Sequence, residues 1–230
     1  MAIIRVMNGL KLTEIVRLLS REFGPPRLPS ADGTWELILY ENCAYLVEDA
    51  KREAVWAVLK TQVKLDPPQL LATDLDTLVV AIRDGGMQPM RRAEKLQECA
   101  RLAIEECEGD VDAVAERPPR EARKLFKLFP GIGEPGADRL LMFAKREKVL
   151  ALESNGLRVL LRLGYGEEYD NYSKSYRSVQ QSLAPELPDA ADWLIRAHLL
   201  LRRHGQELCR RTKPLCNRCP LAKGCPTAKC

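Results

Sequence analysis

Apolar residues recur every three or four positions along most of the chain, the spacing that puts them on one face of an α-helix. LTEIVRLLSREFG, residues 12–24, shows it first, with Thr13 as a candidate N-cap and Gly24 as a stop before Pro25 and Pro26. TWELILYENCAYLVED and DAKREAVWAVLKTQV predict two more helices, Asp49 being able to cap the second, and Pro67 and Pro68 then break the chain. Thr73 with Asp76 gives a capping-box-like start to DLDTLVVAIRDGG, and PMRRAEKLQECARLAIEEC reads as a long amphipathic helix. The pattern continues through REARKLFKLF, ADRLLMFAKRE, NGLRVLLRLG, SYRSVQQSLA and DAADWLIRAHLLLRRHG. With no strand pair, internal repeat or low-complexity linker, the expectation is an all-α chain of about ten helices arranged in two helical lobes.

Composition agrees. Hydrophobic residues make up 46% of 230, enough to bury a core, while aromatics are only 6% and charged residues 30%. The net charge of +4, from 36 basic and 32 acidic residues, implies no polyanionic partner when averaged over the surface. Its distribution changes that picture, because from Arg196 to Lys229 a series of Arg and Lys residues faces a single acid, Glu207. No leader pattern and no apolar run near the roughly 20 residues of a membrane span is present. The expectation is a soluble, cytoplasmic monomer with no membrane association, whose eight cysteines stay reduced.

Cys209, Cys216, Cys219 and Cys225 follow the spacing C-x6-C-x2-C-x5-C. Four thiolates without an intervening His suit a tetrahedral zinc or an iron–sulfur cluster, and the chemistry alone does not choose. One short knuckle between two longer arms fits a larger core better than a zinc ribbon. Cys230 falls outside the pattern, and Cys99 and Cys107 sit alone on the long helix as core or surface thiols. Ahead of the cysteines, LFPGIGEPGADRLL combines a helix-ending Pro130 with Gly131 and Gly133 for a tight turn and Ile132 as its core anchor. Backbone N–H groups at such a turn and at the next helix start hold a phosphate without reading sequence.

The cysteine spacing directly after a helix, together with PGIG about 80 residues earlier, resembles the helix-hairpin-helix DNA glycosylases of the endonuclease III and adenine glycosylase branch. The likeness runs from Leu12 to Cys225, with weaker matches at GTWELILYEN and GGMQPMRRAEKL. It implies that residues 30–145 form a six-helix domain ending in the hairpin, and that residues 1–29 with 146–230 form a discontinuous domain carrying the loop 209–225. It further implies a 4Fe–4S cluster, with zinc as the minor alternative, and duplex DNA as partner. Gly131, Ile132 and Gly133 would grip one phosphate run, and Arg210, Arg211 and Lys213 another.

Bifunctional members carry a lysine two residues past the hairpin's second glycine, as a Schiff-base nucleophile. This chain has Pro135, so lyase chemistry through that position is not expected. Anchoring on LRVLLR puts Glu153 where the family has its aspartate, one methylene longer, and Asn155 where the adenine branch has the Asn of Asp-x-Asn. Such a carboxylate stabilises an oxocarbenium-like sugar and positions water; Ser154 and Asn155 are also good helix caps. Glu41, with Asn42, is the strongly polar interruption of LILYENCAYLV, and a Glu there lines a cleft or has a partner. It matches the Glu that protonates the departing purine in the adenine branch. Tyr45 and Leu46 stand where relatives place duplex-wedging Gln residues.

The resemblance thus implies a base-excision-repair enzyme, a monofunctional N-glycosylase that hydrolyses the bond to a damaged or mispaired base. Two alternatives stay open, a catalytically inactive DNA or abasic-site binder of the same fold and a DNA-associated iron–sulfur redox module. His198 and His204 have packing explanations, and Trp35, Trp56 and Trp193 sit at core spacing.

Overall fold

A computed structural model describes residues 9–228. Cys230 lies outside them. Twelve α-helices follow in order: α1 Leu12–Phe23, α2 Gly33–Cys43, α3 Asp49–Gln62, α4 Pro67–Ala72, α5 Leu75–Ile82, α6 Pro89–Cys107, α7 Val111–Val114, α8 Pro119–Phe126, α9 Glu134–Phe143, α10 Ser154–Arg162, α11 Tyr172–Leu183 and α12 Ala191–Glu207. The described residues form no strand, only an isolated bridge between Tyr45 and Gly86, and the all-α expectation holds. None of these helices is long and apolar enough to cross a membrane.

The chain divides into two compact units, Pro29–Arg146 and Met1–Leu28 with Glu147–Cys230. In the first, α2 is the centre. Leu37, Ile38, Leu39, Tyr40, Asn42 and Cys43 are all buried, so the helix is covered nearly all round, by α3, α6, α7 and α9. Trp56, Leu59, Leu96 and Phe126 complete its core. In the second unit α12 is packed by α1 and α10, through Ile15, Leu19, Leu160, Leu200 and Leu201.

Several predicted caps move, because the first turn takes whatever acceptor reaches it. Lys11, not Thr13, precedes α1, and the Leu12 N–H donates to Glu186 Oε2 at 2.6 Å from far along the chain. Glu48 rather than Asp49 stands at the N-cap of α3. Thr73 ends α4, and Asp74 caps α5 by accepting from the Asp76 and Thr77 N–H groups. The Pro67–Pro68 pair opens a helix as well as breaking one, with Asp66 accepting from the Gln69 N–H and proline in the first turn, where no N–H is needed.

The largest departure is at the end of α2, which stops at Cys43 although helical spacing runs on through AYLV. The cause lies in α6. The buried Arg92 guanidinium donates to the carbonyls of Cys43, Ile82 and Gly86, and its Nε donates to Met87 O at 3.0 Å. The Tyr45 N–H donates to Gly85 O at 2.7 Å. The strand-like run 44–47 is thereby lashed to the loop 83–88, and a Cβ on Gly85 would stand 2.5 Å from both Cys43 O and Arg92 Nη1. Burial depresses the basicity of Arg92, and its carbonyl partners offset that cost.

Arg92→Met keeps apolar bulk but strands several buried acceptors. We expect a loss of about 3 kcal/mol in urea unfolding. A loss under about 0.5 kcal/mol would mean that the two loops are held by other contacts.

Candidate active site, hairpin and cysteine loop

The hairpin is built from α8, the turn 127–133 and α9. Phe129 and Ile132 are buried, and the Ile132 N–H donates back to Phe129 O at 3.1 Å, so Ile132 anchors the turn from inside. Asn42 Nδ2, from α2, donates to Pro130 O at 2.9 Å and to Ile38 O at 3.0 Å. A second tie joins the two helices, Arg123 Nε to the buried Asp138 Oδ1 at 2.6 Å. The two glycines differ. Gly131 has φ 77, a left-handed conformation, and faces Asn42 Oδ1. Gly133 is the N-cap of α9 at φ −91, which any residue adopts, and a Cβ there would meet only Pro135 Cδ at 3.9 Å. Conformation therefore requires glycine at 131 only.

Glu41 is not isolated. Its Oε2 lies 2.9 Å from Arg139 Nη2 of α9, with the Arg139 side chain 18% exposed and that of Glu41 35%. Arg139 Nε is buried with no hydrogen-bond partner. Arg52 Nη1 adds bonds to the carbonyls of Tyr40 and Glu41. The polar pair at 41–42 thus meets a cation and a carbonyl of the hairpin.

Tyr45 and Leu46 are exposed, at 58% and 76%, on the loop that Arg92 ends, with Leu46 at φ 55. Met87, beside Gly86 on the neighbouring loop, is exposed at 63%. Residue order alone carries no sign of that partnership, since it depends on the Tyr45–Gly85 bond.

In the other unit, Glu153 is itself the N-cap of α10, in place of Ser154 or Asn155. Its Oε1 accepts from the Gly156 N–H at 2.7 Å, and its Oε2 accepts from Asn155 N at 3.0 Å and Asn155 Nδ2 at 2.8 Å. Asn155 Oδ1 in turn accepts from Arg158 Nη2 at 2.8 Å, which also reaches Gly205 O, while Arg158 Nε donates to Cys209 O at 3.0 Å. One turn on, Arg162 Nη1 donates to Arg210 O at 2.8 Å and lies 3.3 Å from Cys209 Sγ. An unbroken line of hydrogen bonds therefore joins the Glu153 carboxylate to the cysteine loop. Arg158 and Arg162, four apart on the face of α10 turned to that loop, were not singled out in the sequence.

The loop itself carries four half-buried free thiols, Cys209, Cys216, Cys219 and Cys225. Burial pushes the Cys219 thiol up to about 11, opposed by a backbone hydrogen bond from Leu221, with lesser upward contributions from the neighbouring Cys209, Cys225 and Cys216. His204 Nε2 lies 3.6 Å from Cys219 Sγ. Among the described residues no group of three or more His, Cys, Asp or Glu is arranged to hold a single metal ion. By donor chemistry the set fits a thiolate-ligated inorganic core, with nitrogen groups beside two of the sulfurs. Arg210, Arg211 and Lys213 are exposed, Lys213 at φ 54. Cys99 and Cys107 are buried core thiols.

No family model matches the chain. Among curated proteins it is 25% identical over 166 residues to endonuclease III of Sulfolobus acidocaldarius, covering 72% of this chain and 69% of that protein. It is 31% identical over 144 residues to the adenine DNA glycosylase of Rattus norvegicus, 61% of this chain but only 25% of that one. A solved non-covalent endonuclease III–DNA complex superposes with a TM-score of 0.73 at 22% identity, covering 94% of this chain and 96% of that one, a likeness of fold.

The two glycines make a paired prediction. Gly131→Ala forces a side chain into left-handed backbone against Asn42 and should cost about 1–2 kcal/mol of stability. Gly133→Ala should leave the melting temperature unchanged within about 2 °C. It should nevertheless weaken binding of a 20-base-pair duplex (length chosen on the order of two helical turns) if backbone approaches phosphate there. Unchanged duplex affinity in Gly133→Ala would remove the hairpin from the binding surface.

Proposed function

We propose that the chain is a member of the helix-hairpin-helix DNA glycosylase superfamily, a reading supported by its similarity to endonuclease III and adenine DNA glycosylase, and that it is a monofunctional glycosylase of that type. It binds duplex DNA as a monomer in the cytoplasm and hydrolyses the bond between deoxyribose and a damaged or mispaired base. The observation that carries this reading is the Glu153 carboxylate, fixed by three donors at the start of α10 and braced by Asn155.

Base loss leaves positive charge on the sugar, and a carboxylate already oriented stabilises that charge without reorganising. Glu153 is the group for that charge and for the attacking water, with Asn155 holding its Oε2. Glu41 is the group for the departing base. In its ion pair with Arg139 Glu41 carries no proton, so it must first take one from solvent; on giving that proton to the leaving base nitrogen it regains the negative charge that Arg139 pairs with. Pro135 offers no amine, so the abasic product leaves without a Schiff base at that position. Gly131, Ile132 and Gly133 on the hairpin, and Arg210, Arg211 and Lys213 on the cysteine loop, take the phosphates, while Tyr45 and Leu46 fill the space of the extruded base. Cys209, Cys216, Cys219 and Cys225 would hold a 4Fe–4S cluster, which when bound supplies a rigid four-point anchor for the basic loop.

A second reading, DNA binding without excision, draws support from the same ion pair, because a Glu41 committed to Arg139 has no need of a substrate.

Single-turnover incubation with duplexes containing uracil, thymine glycol, or adenine opposite 8-oxoguanine, followed by alkali, separates the two. We expect strand scission only after alkali, no borohydride-trapped adduct, and about a 10²-fold or greater loss in Glu153→Gln and Glu41→Gln. Tight binding of an abasic-site analogue with no base released from any duplex would establish the binding reading instead. Iron and acid-labile sulfide, each about four per chain for the cluster, should be lost together with duplex affinity in Cys216→Ser. Zinc in their place would overturn the cluster assignment.

A further inference from the structure

The run leading into Glu153 is buried and has no strand to pair with. Leu150, Ala151 and Leu152 are each 1% exposed or less, and among the described residues no strand lies beside them. Buried carbonyls in such a run must find donors elsewhere. They find three, one apiece. Gln180 Nε2 donates to Leu150 O at 2.8 Å, His198 Nδ1 lies 2.7 Å from Ala151 O, and the Tyr172 hydroxyl reaches Leu152 O at 3.4 Å. A carbonyl only accepts, so the proton sits on His198 Nδ1. Two of these side chains come from α11 and one from α12, each by a different route.

We propose that Tyr172, Gln180 and His198 are positioning residues for Glu153, holding successive backbone carbonyls of residues 150–152 so that the following side chain starts from a fixed point. This deepens the glycosylase reading and rests on it. Where the family pattern has Asp, this chain has Glu, and the reach of the longer side chain depends on where its backbone is pinned. The last carbonyl before Glu153 belongs to Leu152, and its donor, Tyr172, is the one of the three exposed to solvent. Its ring is exposed but its hydroxyl end is part-buried, and that burial, then the Glu153 charge, push the phenol up to about 12. Misplacing a catalytic group by about 1 Å costs on the order of 10²-fold in rate.

The test uses the full chain and whichever of the three duplexes it cleaves. Tyr172→Phe and Gln180→Met should each lower the single-turnover rate about tenfold, and His198→Leu about 10²-fold. Affinity for abasic-analogue DNA should stay within about twofold. In a Glu153→Gln background the same substitutions should change the residual rate no further, because they act through the missing carboxylate. Should His198→Leu fail to fold, Tyr172→Phe, which removes one oxygen, carries the comparison. Unchanged rates in the single variants, or losses that recur undiminished without the carboxylate, would overturn the inference. A wild-type rate in Glu153→Gln would instead remove Glu153 from catalysis, and release from none of the duplexes would sink the glycosylase reading; either takes this inference with it.

Discussion

Each helix leaves N–H groups unpaired at its start and carbonyls unpaired at its end, and a chain built almost wholly of helices must meet that demand many times over. Here the partners at the decisive ends are side chains. Glu153 answers the first turn of α10, Asn42 takes the carbonyl of Pro130, Arg92 gathers four carbonyls around the end of α2, and Glu186 reaches the start of α1. A cap of this kind contributes about 0.5–2 kcal/mol, and a bond from a charged donor about 1.5–3 kcal/mol. In each unit the candidate functional side chains are held by the same bonds that end its helices, so stability and any chemistry there cannot be assigned to separate residues.

That economy explains the line from Glu153 through Asn155 and Arg158 to Cys209. Arg158 is partly buried, and burial lowers its basicity, so its carbonyl and amide acceptors are needed whatever the chain does with DNA. Once present, they make the orientation of the Asn155 amide depend on where the first cysteine's backbone stands. The basic side chains of the loop project from the same short segment that Arg162 binds through the carbonyls of Arg210 and Arg211. A change in the thiol loop is therefore felt both at the basic side chains proposed to take phosphate and where the carboxylate is held.

Much of this was legible in the residues. Helical spacing marked the long amphipathic segments, the thiol spacing marked the loop, and PGIG marked the hairpin with Ile132 as its anchor. What the chain order concealed was every tie between distant positions. Helical spacing carries AYLV on from α2, and only a guanidinium 49 residues away makes Cys43 its end. Glu41 was conspicuous as an acid among apolar residues, yet nothing near it in sequence identifies Arg139 as its partner. Ser154 and Asn155 look like caps by residue type, but a Glu one position earlier takes the role because its longer side chain folds back to the N–H groups of Asn155 and Gly156. Local propensity ranks such choices within tenths of a kcal/mol, and tertiary bonds decide among them.

The Glu for Asp exchange looks at first like a lost catalyst. An added methylene moves a carboxylate by over 1 Å, ample to ruin a reaction that needs near-contact with the sugar. That holds only if the backbone and the direction of the side chain stay as they are with Asp. Here the carboxylate is turned onto its own helix, both oxygens bonded within the first turn. The extra methylene is taken up in the fold-back instead of pushing the carboxylate outward, and the helix dipole favours negative charge at that end for any acidic residue that reaches it. Capping and the helix dipole favour an acid at that position whatever the chemistry, so under the proposed function the fold itself supplies the charge. The retained negative charge, and not the residue that bears it, is what an oxocarbenium-like sugar requires.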